Sequence, residues 1–253
     1  MISIVTCIYN CLDFVKKAME SVETNTDVVY EHILILNSRN QEVRDYILGL
    51  KNKKVLVPEK NIGANKGYNW GVESSFYDFV TKLDDDVIVP KGWASATMKA
   101  FELIPKLAMC ATNLDWGKPQ SISNLPIAVS KVSDLVIEEV TEKTGFLGFH
   151  CVTFPKKVLI ELGEFPTDKL YGGDEYLMYH EALEKQYRMI YLHDFMATHL
   201  SKFKDDVRRR WQMESCLGRT HLDFEEWKSE KSQDPKISEI PEELEEEVRK
   251  KLC

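Results

Sequence analysis

Short apolar segments alternate with segments of helical periodicity from residue 2 to residue 83, and this alternation limits the possible folds more than any other feature. The candidate strands span residues 2–8, 32–36, 54–57 and 77–83. Between them, apolar residues recur every three or four positions, as they do on one face of a helix. Strands separated by helices form βαβ units, so the pattern predicts an α/β fold whose mainly parallel central sheet has helices on both faces.

The second half of the chain is less regular. Helices are predicted at 93–103, 156–162 and 173–185, and strands at 108–112, 149–154 and 188–192. Gly, Pro, Ser and Asn interrupt residues 116–139, which is typical of loops or a small antiparallel element. We interpret residues 1–200 as one domain and residues 201–253 as a helical, charged C-terminal extension. Because residues 228–252 carry few apolar anchors, we expect this tail to pack weakly or to be partly mobile.

Asp84, Asp85 and Asp86 directly follow the strand predicted at 77–83. In open α/β sheets, ligands bind at the carboxyl ends of the strands. Adjacent carboxylates repel one another unless a cation lies among them, and oxygen ligands on a short loop suit Mg²⁺ or Mn²⁺. The alternative is a solvated acidic turn.

Charge and cysteine usage limit the partners and the compartment. The formal net charge of −8 argues against a surface built for general nucleic-acid binding. No apolar run approaches the roughly 20 residues of a membrane-spanning helix. The 6 cysteines are scattered along the chain, which is typical of reduced thiols and predicts a cytoplasmic location.

Four segments carry the chemistry of the chain. They are residues 6–10 at the end of the first strand, residues 61–71 at the start of a helix, the acidic loop, and residues 171–175 with His199 beyond the following strand. In this order and spacing they resemble the motifs of family 2 glycosyltransferases, which have the Rossmann-like GT-A fold. The resemblance covers about residues 2–200. It implies inverting transfer from a nucleotide sugar, with residues 1–115 binding the nucleotide sugar and residues 116–200 holding the acceptor and the catalytic base.

The resemblance assigns a metal site to three residues. Asp86 matches the family position that meets the metal, and Asp84 lies near both the metal and the ribose. His199 matches a family histidine that can complete the site, although a packing histidine is the alternative. The expected cofactor is Mn²⁺ or Mg²⁺.

The resemblance also implies a set of donor-binding residues. They are Thr6, Ile8, Tyr9, Asn37, Asn61, Gly63, Lys66, Asn69, Asp84 and Asp85. Asn37 stands where the family has an aspartate that reads the nucleotide base, so the donor nucleotide is left open. Lys66 would meet the diphosphate, and a solvated lysine at a helix start is the alternative.

Asp174 and Glu175 are the candidate catalytic bases, because an inverting transferase needs a carboxylate to accept the proton of the attacking hydroxyl. The family motif usually reads Glu-Asp, and this chain has the reverse order. We favour Asp174 slightly, while Glu175 holds the aligned position. Acids at a helix start are also common as capping residues, which is the structural alternative.

On the acceptor side, the resemblance points to Gly145 and Phe146, with Trp116 as a further candidate contact. The acceptor itself stays open: a glycan, a lipid-linked sugar, a protein, a small molecule or a modified nucleobase in DNA. Basic and aromatic residues at 202–211 suggest a weak contact with an anionic surface, and an ordinary amphipathic helix is the alternative.

Two other functions fit the same pattern. A GT-A-fold protein that has lost its activity would bind carbohydrate or nucleotide without transferring a sugar. A nucleotidyltransferase would need a glycine-rich basic loop after the first strand, and residues 6–11 contain no glycine.

Overall fold

In a computed structural model, residues 1–9, 12–114, 128–142, 147–167 and 174–200 are described. Within 201–253 the described residues are 210–211, 213–214, 219–220, 224–241, 243–244 and 247. The strands are β1 (Ile2–Ile8), β2 (Tyr30–Leu36), β3 (Lys54–Leu56), β4 (Phe79–Asp84), β5 (Val87–Ile88), β6 (Leu107–Leu114), β7 (Val129–Val132), β8 (Leu135–Val140), β9 (Cys151–Pro155) and β10 (Arg188–His199). The helices are α1 (Leu12–Asn25), α2 (Gln41–Gly49), α3 (Ala64–Glu73), α4 (Trp93–Leu103), α5 (Lys156–Glu161), α6 (Asp174–Glu184) and α7 (Phe224–Glu230).

The strands form one open, mixed and mostly parallel sheet, which confirms the predicted fold class. Their order is β3-β2-β1-β4-β9-β6-β10-β8-β7, and β5 pairs with β10 off this path. Only β5, β8 and β9 among the described strands run opposite to the rest. Because β1, β2 and β4 are parallel, their carboxyl ends share one edge of the sheet: Cys7 lies opposite Asp84, and Ile8 opposite Leu36.

Helices cover both faces of the sheet. On one face, α3, α5 and α6 pack on a core that includes Val5, Val152 and Tyr191. On the other face, α1, α2 and α4 bury a second set of apolar residues. The strands between these layers are mostly apolar on both faces, as is typical of buried parallel strands.

Two glycines bring α3 unusually close to β1. A Cβ atom on Gly71 would overlap the side chain of Val5, and one on Gly67 would overlap the sulfur of Cys7. The two glycines are four residues apart and therefore lie on one face of the helix. This close contact fixes the start of α3 beside the carboxyl end of β1, where the functional loops gather.

The sequence did not predict two features of the sheet. Strand β5 contains only Val87 and Ile88, and it forms by pairing with Thr198 and His199. Strand β10 continues past the predicted residue 192 to His199, across an irregularity between Leu192 and Met196. The antiparallel element expected within 116–139 is the β7–β8 hairpin.

Two buried tryptophans that precede the tail 228–252 anchor the C-terminal extension to the main domain, and Ile237 of the tail packs against them. Trp227 and Trp211 are 1% and 5% exposed and pack with Tyr9 of the main domain. Arg39, in the loop after β2, forms an ion pair with Glu226 of α7 at 3.2 Å. A few aromatic residues thus anchor a segment whose composition is mostly charged.

No helix among the described residues combines the length and the apolar character needed to cross a lipid bilayer.

Candidate active site

Three predicted metal ligands meet at the carboxyl end of β4. Asp84 is the last residue of that strand, and Asp86 follows in the turn into β5. Ligand atoms of Asp84, Asp86 and His199 all lie within 4.8 Å of one another. The Nε2 atom of His199 is 3.6 Å from Oδ1 of Asp86, and both side chains are largely buried.

The pairing of β5 with β10 places His199 in this cluster. His199 lies opposite Val87, the residue that follows Asp86. The backbone N–H of Leu200 donates to the carbonyl oxygen of Asp86 at 2.8 Å. The irregularity in β10 lets its last residues turn toward β5, so a residue distant in sequence joins the acidic loop.

Two side chains near the aspartates escaped the sequence analysis. Lys82 of β4 donates from Nζ to Oδ1 of Asp84 at 2.9 Å. The hydroxyl of Tyr68, on α3, donates to the same oxygen at 3.0 Å. Burial and the Asp84 charge raise the pKa of Tyr68 well above its usual value, so the phenol stays protonated and remains a donor.

Asp85 forms a hydrogen bond with the residue that follows β1. Its Oδ2 atom accepts a hydrogen bond from the backbone N–H of Tyr9 at 2.6 Å, and the residue is buried. This bond ties the acidic loop to the end of β1. While its backbone N–H forms this bond, Tyr9 packs against the aromatic cluster formed by Trp211 and Trp227.

His150 adds a neutral imidazole beside Asp84. The backbone N–H of Asp84 donates to the carbonyl oxygen of His150 at 2.9 Å. Burial lowers the pKa of His150 to about 3, so the ring is neutral. Its Nε2 lies 2.9 Å from the carbonyl oxygen of Thr112, which can only accept, so Nε2 carries the proton. The buried Nδ1 has no hydrogen-bond partner among the described residues.

Several predicted donor-binding residues form contacts within the protein, either in the core or in the loop before α3. Thr6 is fully buried and its hydroxyl lies 3.1 Å from Nε2 of His32, while Ile8 belongs to the core beneath α1 and α2. The Asn37 amide donates to the Gly63 carbonyl oxygen at 3.0 Å. Asn61 accepts from the Gly63 N–H at 2.9 Å. Asn37, Asn61 and Gly63 thus shape the loop that leads into α3.

Asn69 and Lys66 lie on α3, on the side that faces α5. The Asn69 side chain donates to the carbonyl oxygen of Phe165 at 2.8 Å and accepts from its N–H at 3.0 Å. Lys66 and Asn69 line a groove of about 500 Å³ together with Lys156 and Glu164. None of the three aspartates lines this groove, and the assignment of Lys66 and Asn69 to the donor stays a prediction.

The sequence profile of glycosyl transferase family 2 matches residues 3–163, which is more than half of the chain. The chain belongs to this family. No curated protein sequence matches it significantly. The matched region contains β1, α3 and the acidic loop, whereas His199 lies beyond it.

Solved glycosyltransferases share the fold of this family 2 protein. GalNAc-T7, crystallised with UDP, GalNAc and Mn²⁺, gives a TM-score of 0.63 at 14% identity, over 81% of this chain and 44% of its own. The mannosyltransferase PcManGT from Pyrobaculum calidifontis, with GDP-Man and Mn²⁺, gives 0.56 at 14% identity, over 86% and 63%. TarS 1-349 from S. aureus, with UDP, gives 0.57 at 17% identity, over 96% and 76%. The chain therefore spans less than two thirds of the length of the first two proteins. At these identities the likeness establishes the GT-A fold alone.

The residues present fit a divalent metal. Two carboxylates and one imidazole supply oxygen and nitrogen ligands of the kind that Mn²⁺ and Mg²⁺ accept in proteins. The three groups come from two different strand ends and a turn, yet their ligand atoms already lie within 4.8 Å of one another. We conclude that this family 2 protein has a candidate metal centre at the expected edge of the sheet.

The candidate bases and acceptor contacts are less completely described. Asp174 and Glu175 form the first turn of α6, as predicted. Trp116, Gly145 and Phe146 lie outside the described residues. So does the basic stretch 202–211 apart from Arg210 and Trp211. Arg210 pairs with Glu214 at 3.2 Å and Trp211 is buried, so neither belongs to an exposed anion-binding surface.

Strands β8 and β10 also contain a pair that the sequence analysis missed. The carboxylate of Glu138, fully buried on β8, contacts Nδ1 of His193 on β10. The carbonyl oxygen of His193 accepts from the Asn113 side chain near the end of β6. In the sequence these residues had no motif around them, and only the register of β8 against β10 brings them together.

Proposed function

We propose that this protein transfers a sugar from a nucleotide-diphosphate sugar to an acceptor hydroxyl with inversion at the anomeric carbon. The observation that carries the proposal is the cluster of Asp84, Asp86 and His199 at the carboxyl end of β4. A divalent metal held there would neutralise charge on the departing diphosphate. Family membership and the GT-A fold support this reaction class.

The nucleoside would lie over the ends of β1 and β2. Tyr9 offers an aromatic side chain there, and the bond from its N–H to Asp85 fixes the backbone beside the metal cluster. Asn37 lies at the end of β2, but its amide already bonds to Gly63. We therefore assign Asn37, with Asn61, the role of holding the loop before α3. Reading of the base by Asn37 would require that loop to open.

The catalytic base would come from the start of α6. Met178, Tyr179 and Ala182 are the buried residues on the sheet-facing side of this helix. Residue 175 precedes them by three, four and seven positions, so the helical register places it in line with them. Residue 174 lies about 100° further round the helix axis. On this ground we now favour Glu175 over Asp174 as the base.

Single substitutions test this assignment. We expect Glu175→Gln to reduce the release of nucleoside diphosphate, with water as the acceptor, by about 100-fold or more, because water also needs a base. Asp174→Asn is the matched control and should retain most of the activity. Donor affinity should be unchanged in both variants. If Asp174→Asn loses the activity and Glu175→Gln keeps it, the assignment is reversed.

Three buried free cysteines support a reducing compartment. Burial raises the pKa of Cys7 and Cys110, and raises that of Cys151 to about 12. Such thiols stay protonated and unreactive. We accordingly propose a cytoplasmic location.

The experiment that tests the function is a thermal-shift screen against UDP-, GDP-, TDP- and CMP-sugars, each with Mn²⁺ and with EDTA. A ligand that binds only the folded state raises the unfolding midpoint. We expect one nucleotide class to raise it, and only when Mn²⁺ is present. If no nucleotide sugar shifts the midpoint under either condition, the proposal fails.

A further inference from the structure

We propose that Lys82 is a permanent cation of the metal centre, which holds Asp84 in place and keeps the site from binding a divalent ion strongly in the absence of a diphosphate. The inference rests on the proposed function, since it concerns the same site. It explains how three consecutive aspartates can be stable before any metal arrives. It also predicts the order in which the metal and the donor associate.

Lys82 is fixed by three contacts from different parts of the fold. Its Nζ atom donates to Oδ1 of Asp84 at 2.9 Å and to the carbonyl oxygen of Phe149 at 2.7 Å. The same atom lies 4.7 Å from the centre of the Tyr68 ring, within the range of a cation–π contact. The residue is 7% exposed. A lysine held in this way cannot swing out into solvent without losing all three contacts.

The hydrogen bonds from Lys82 and Tyr68 to Asp84 use only one of its two carboxylate oxygens. Lys82 donates to Oδ1, and the single hydroxyl proton of Tyr68 is shared between this oxygen at 3.0 Å and the Leu83 carbonyl oxygen at 3.1 Å. Two donors on one oxygen fix the rotation of the carboxylate, and neither bond uses Oδ2. Asp84 is therefore oriented in advance for a ligand on the side of Asp86 and His199, with which it forms the metal cluster.

A purely structural role explains the lysine poorly. The Lys82 ammonium is buried while the Asp84 side chain is 32% exposed, and burying a charge costs desolvation energy that the attraction to a partner often fails to recover. The neighbouring strand positions are filled by apolar side chains such as Val80 and Leu83. An apolar residue at position 82 would fit the strand as well, but it would leave the Asp84 carboxylate without its counter-ion.

The charges then set the affinity of the site. The carboxylates of Asp84, Asp85 and Asp86 and the ammonium of Lys82 together carry two net negative charges, and a histidine ligand binds a metal in its neutral form. Lys82 thus cancels one of three negative charges, and its ammonium repels a divalent ion that approaches Asp84. The diphosphate of a nucleotide sugar adds about two negative charges at the same place. We infer that the metal binds strongly only together with the diphosphate.

The test is a titration of the purified full-length chain with Mn²⁺ alone, with free Mn²⁺ followed by electron paramagnetic resonance. The substitution Lys82→Met removes the charge and keeps much of the side-chain length. Because a nearby positive charge has been removed, Mn²⁺ should bind this variant at least about tenfold more tightly than the wild type. The matched control is Lys156→Met, a part-buried lysine that donates to the Ser75 carbonyl oxygen at 3.0 Å outside the cluster. Its Mn²⁺ affinity should equal that of the wild type.

A folded Lys82→Met protein whose Mn²⁺ affinity is unchanged or weaker overturns the inference. If that variant does not fold, Lys82→Gln is measured in the same way. A third measurement needs no variant: Mn²⁺ should bind the wild type at least about tenfold more tightly with saturating UDP or GDP than alone. Strong binding of Mn²⁺ alone to the wild type, unaffected by a nucleotide that does bind, also overturns the inference. If no nucleotide sugar of the thermal-shift screen binds with or without Mn²⁺, the proposed function fails instead, while the variants tested with Mn²⁺ alone still decide the role of Lys82.

Discussion

The three consecutive aspartates differ in their partners, and these partners separate their roles. Asp84 accepts from Lys82 and Tyr68, Asp85 accepts from the Tyr9 backbone, and Asp86 faces His199. The sequence predicts that such a row of acids needs a cation. It does not identify Lys82 as one, because a lysine within a strand gives no sign of which way its side chain points until the neighbouring strands are in place.

The buried His32 makes stability depend on pH. Burial lowers its pKa from 6.5 to about 3, so in the folded protein it stays neutral in a range where the unfolded chain takes up a proton. Stability should therefore fall as the pH drops below about 6.5, and the loss should saturate near pH 3. Between pH 7 and pH 5 we expect a loss of about 2 kcal/mol from this residue.

Urea unfolding at pH 7 and pH 5 measures this effect. In the variant His32→Gln the side chain at position 32 no longer titrates, so the stability of the variant should change with pH by about 2 kcal/mol less than that of the wild type. An equal pH dependence in both proteins would show that His32 is accessible to protons in the folded state.

The elements of the first half were predicted within a few residues, because their apolar period changes clearly from strand to helix. Strand β5 was missed since two residues, Val87 and Ile88, are too few to show any period. The end of β10 was missed because the irregularity after Leu192 interrupts the pattern. Both failures concern the place where His199 reaches the aspartates. The histidine was therefore proposed as a ligand from resemblance, and only the fold shows how it reaches the cluster.

The close packing of α3 on β1 gives a test of how this half of the site is built. In Gly71→Ala the new methyl group would overlap Val5, so helix and strand must move apart. We expect a loss of about 1–3 kcal/mol in the free energy of unfolding, as for other overpacked interfaces. Denaturant unfolding measures it.

Gly49→Ala is the matched control, because a Cβ atom there would meet nothing within 4 Å. This variant should be as stable as the wild type within about 0.5 kcal/mol. Equal stability of the two variants would mean that α3 and β1 are not in the tight contact described.

Across the whole molecule, the structure adds an anchor for the C-terminal extension that the sequence did not predict. The charged composition of residues 228–252 favoured a weakly packed tail, but it gives no information about the two tryptophans that precede this tail. Trp227 is 1% exposed, and its indole N–H donates to Glu214 at 2.9 Å. Because its cluster includes Tyr9, the extension supports the carboxyl end of β1. A truncation before Trp211 should therefore weaken donor binding, whereas a truncation near residue 228 keeps both tryptophans.

The substitution Trp227→Ala tests this link between the extension and the main domain. Removing a buried tryptophan should lower the free energy of unfolding by about 3–5 kcal/mol. Nucleotide-sugar affinity should fall as well, because Tyr9 loses its packing partner. Phe76→Ala is the control: Phe76 is 83% exposed, so stability should change by less than about 0.5 kcal/mol. A Trp227→Ala protein of normal stability and donor affinity would show that the extension is dispensable.

The proposed sugar transfer depends most on the metal centre. Calorimetric titration of the wild type and of Asp86→Asn with the donor found in the screen tests whether a metal binds there. Each protein is titrated with Mn²⁺ present and with EDTA. We expect the wild type to bind the donor only with Mn²⁺, and Asp86→Asn to bind it at least about tenfold more weakly. Substituting even a residue that only hydrogen-bonds to a metal ligand typically lowers metal affinity or activity by that factor. If Asp86→Asn binds the donor with wild-type affinity and the same dependence on Mn²⁺, the metal does not bind at Asp86, and the assignment of the metal centre to this loop is wrong.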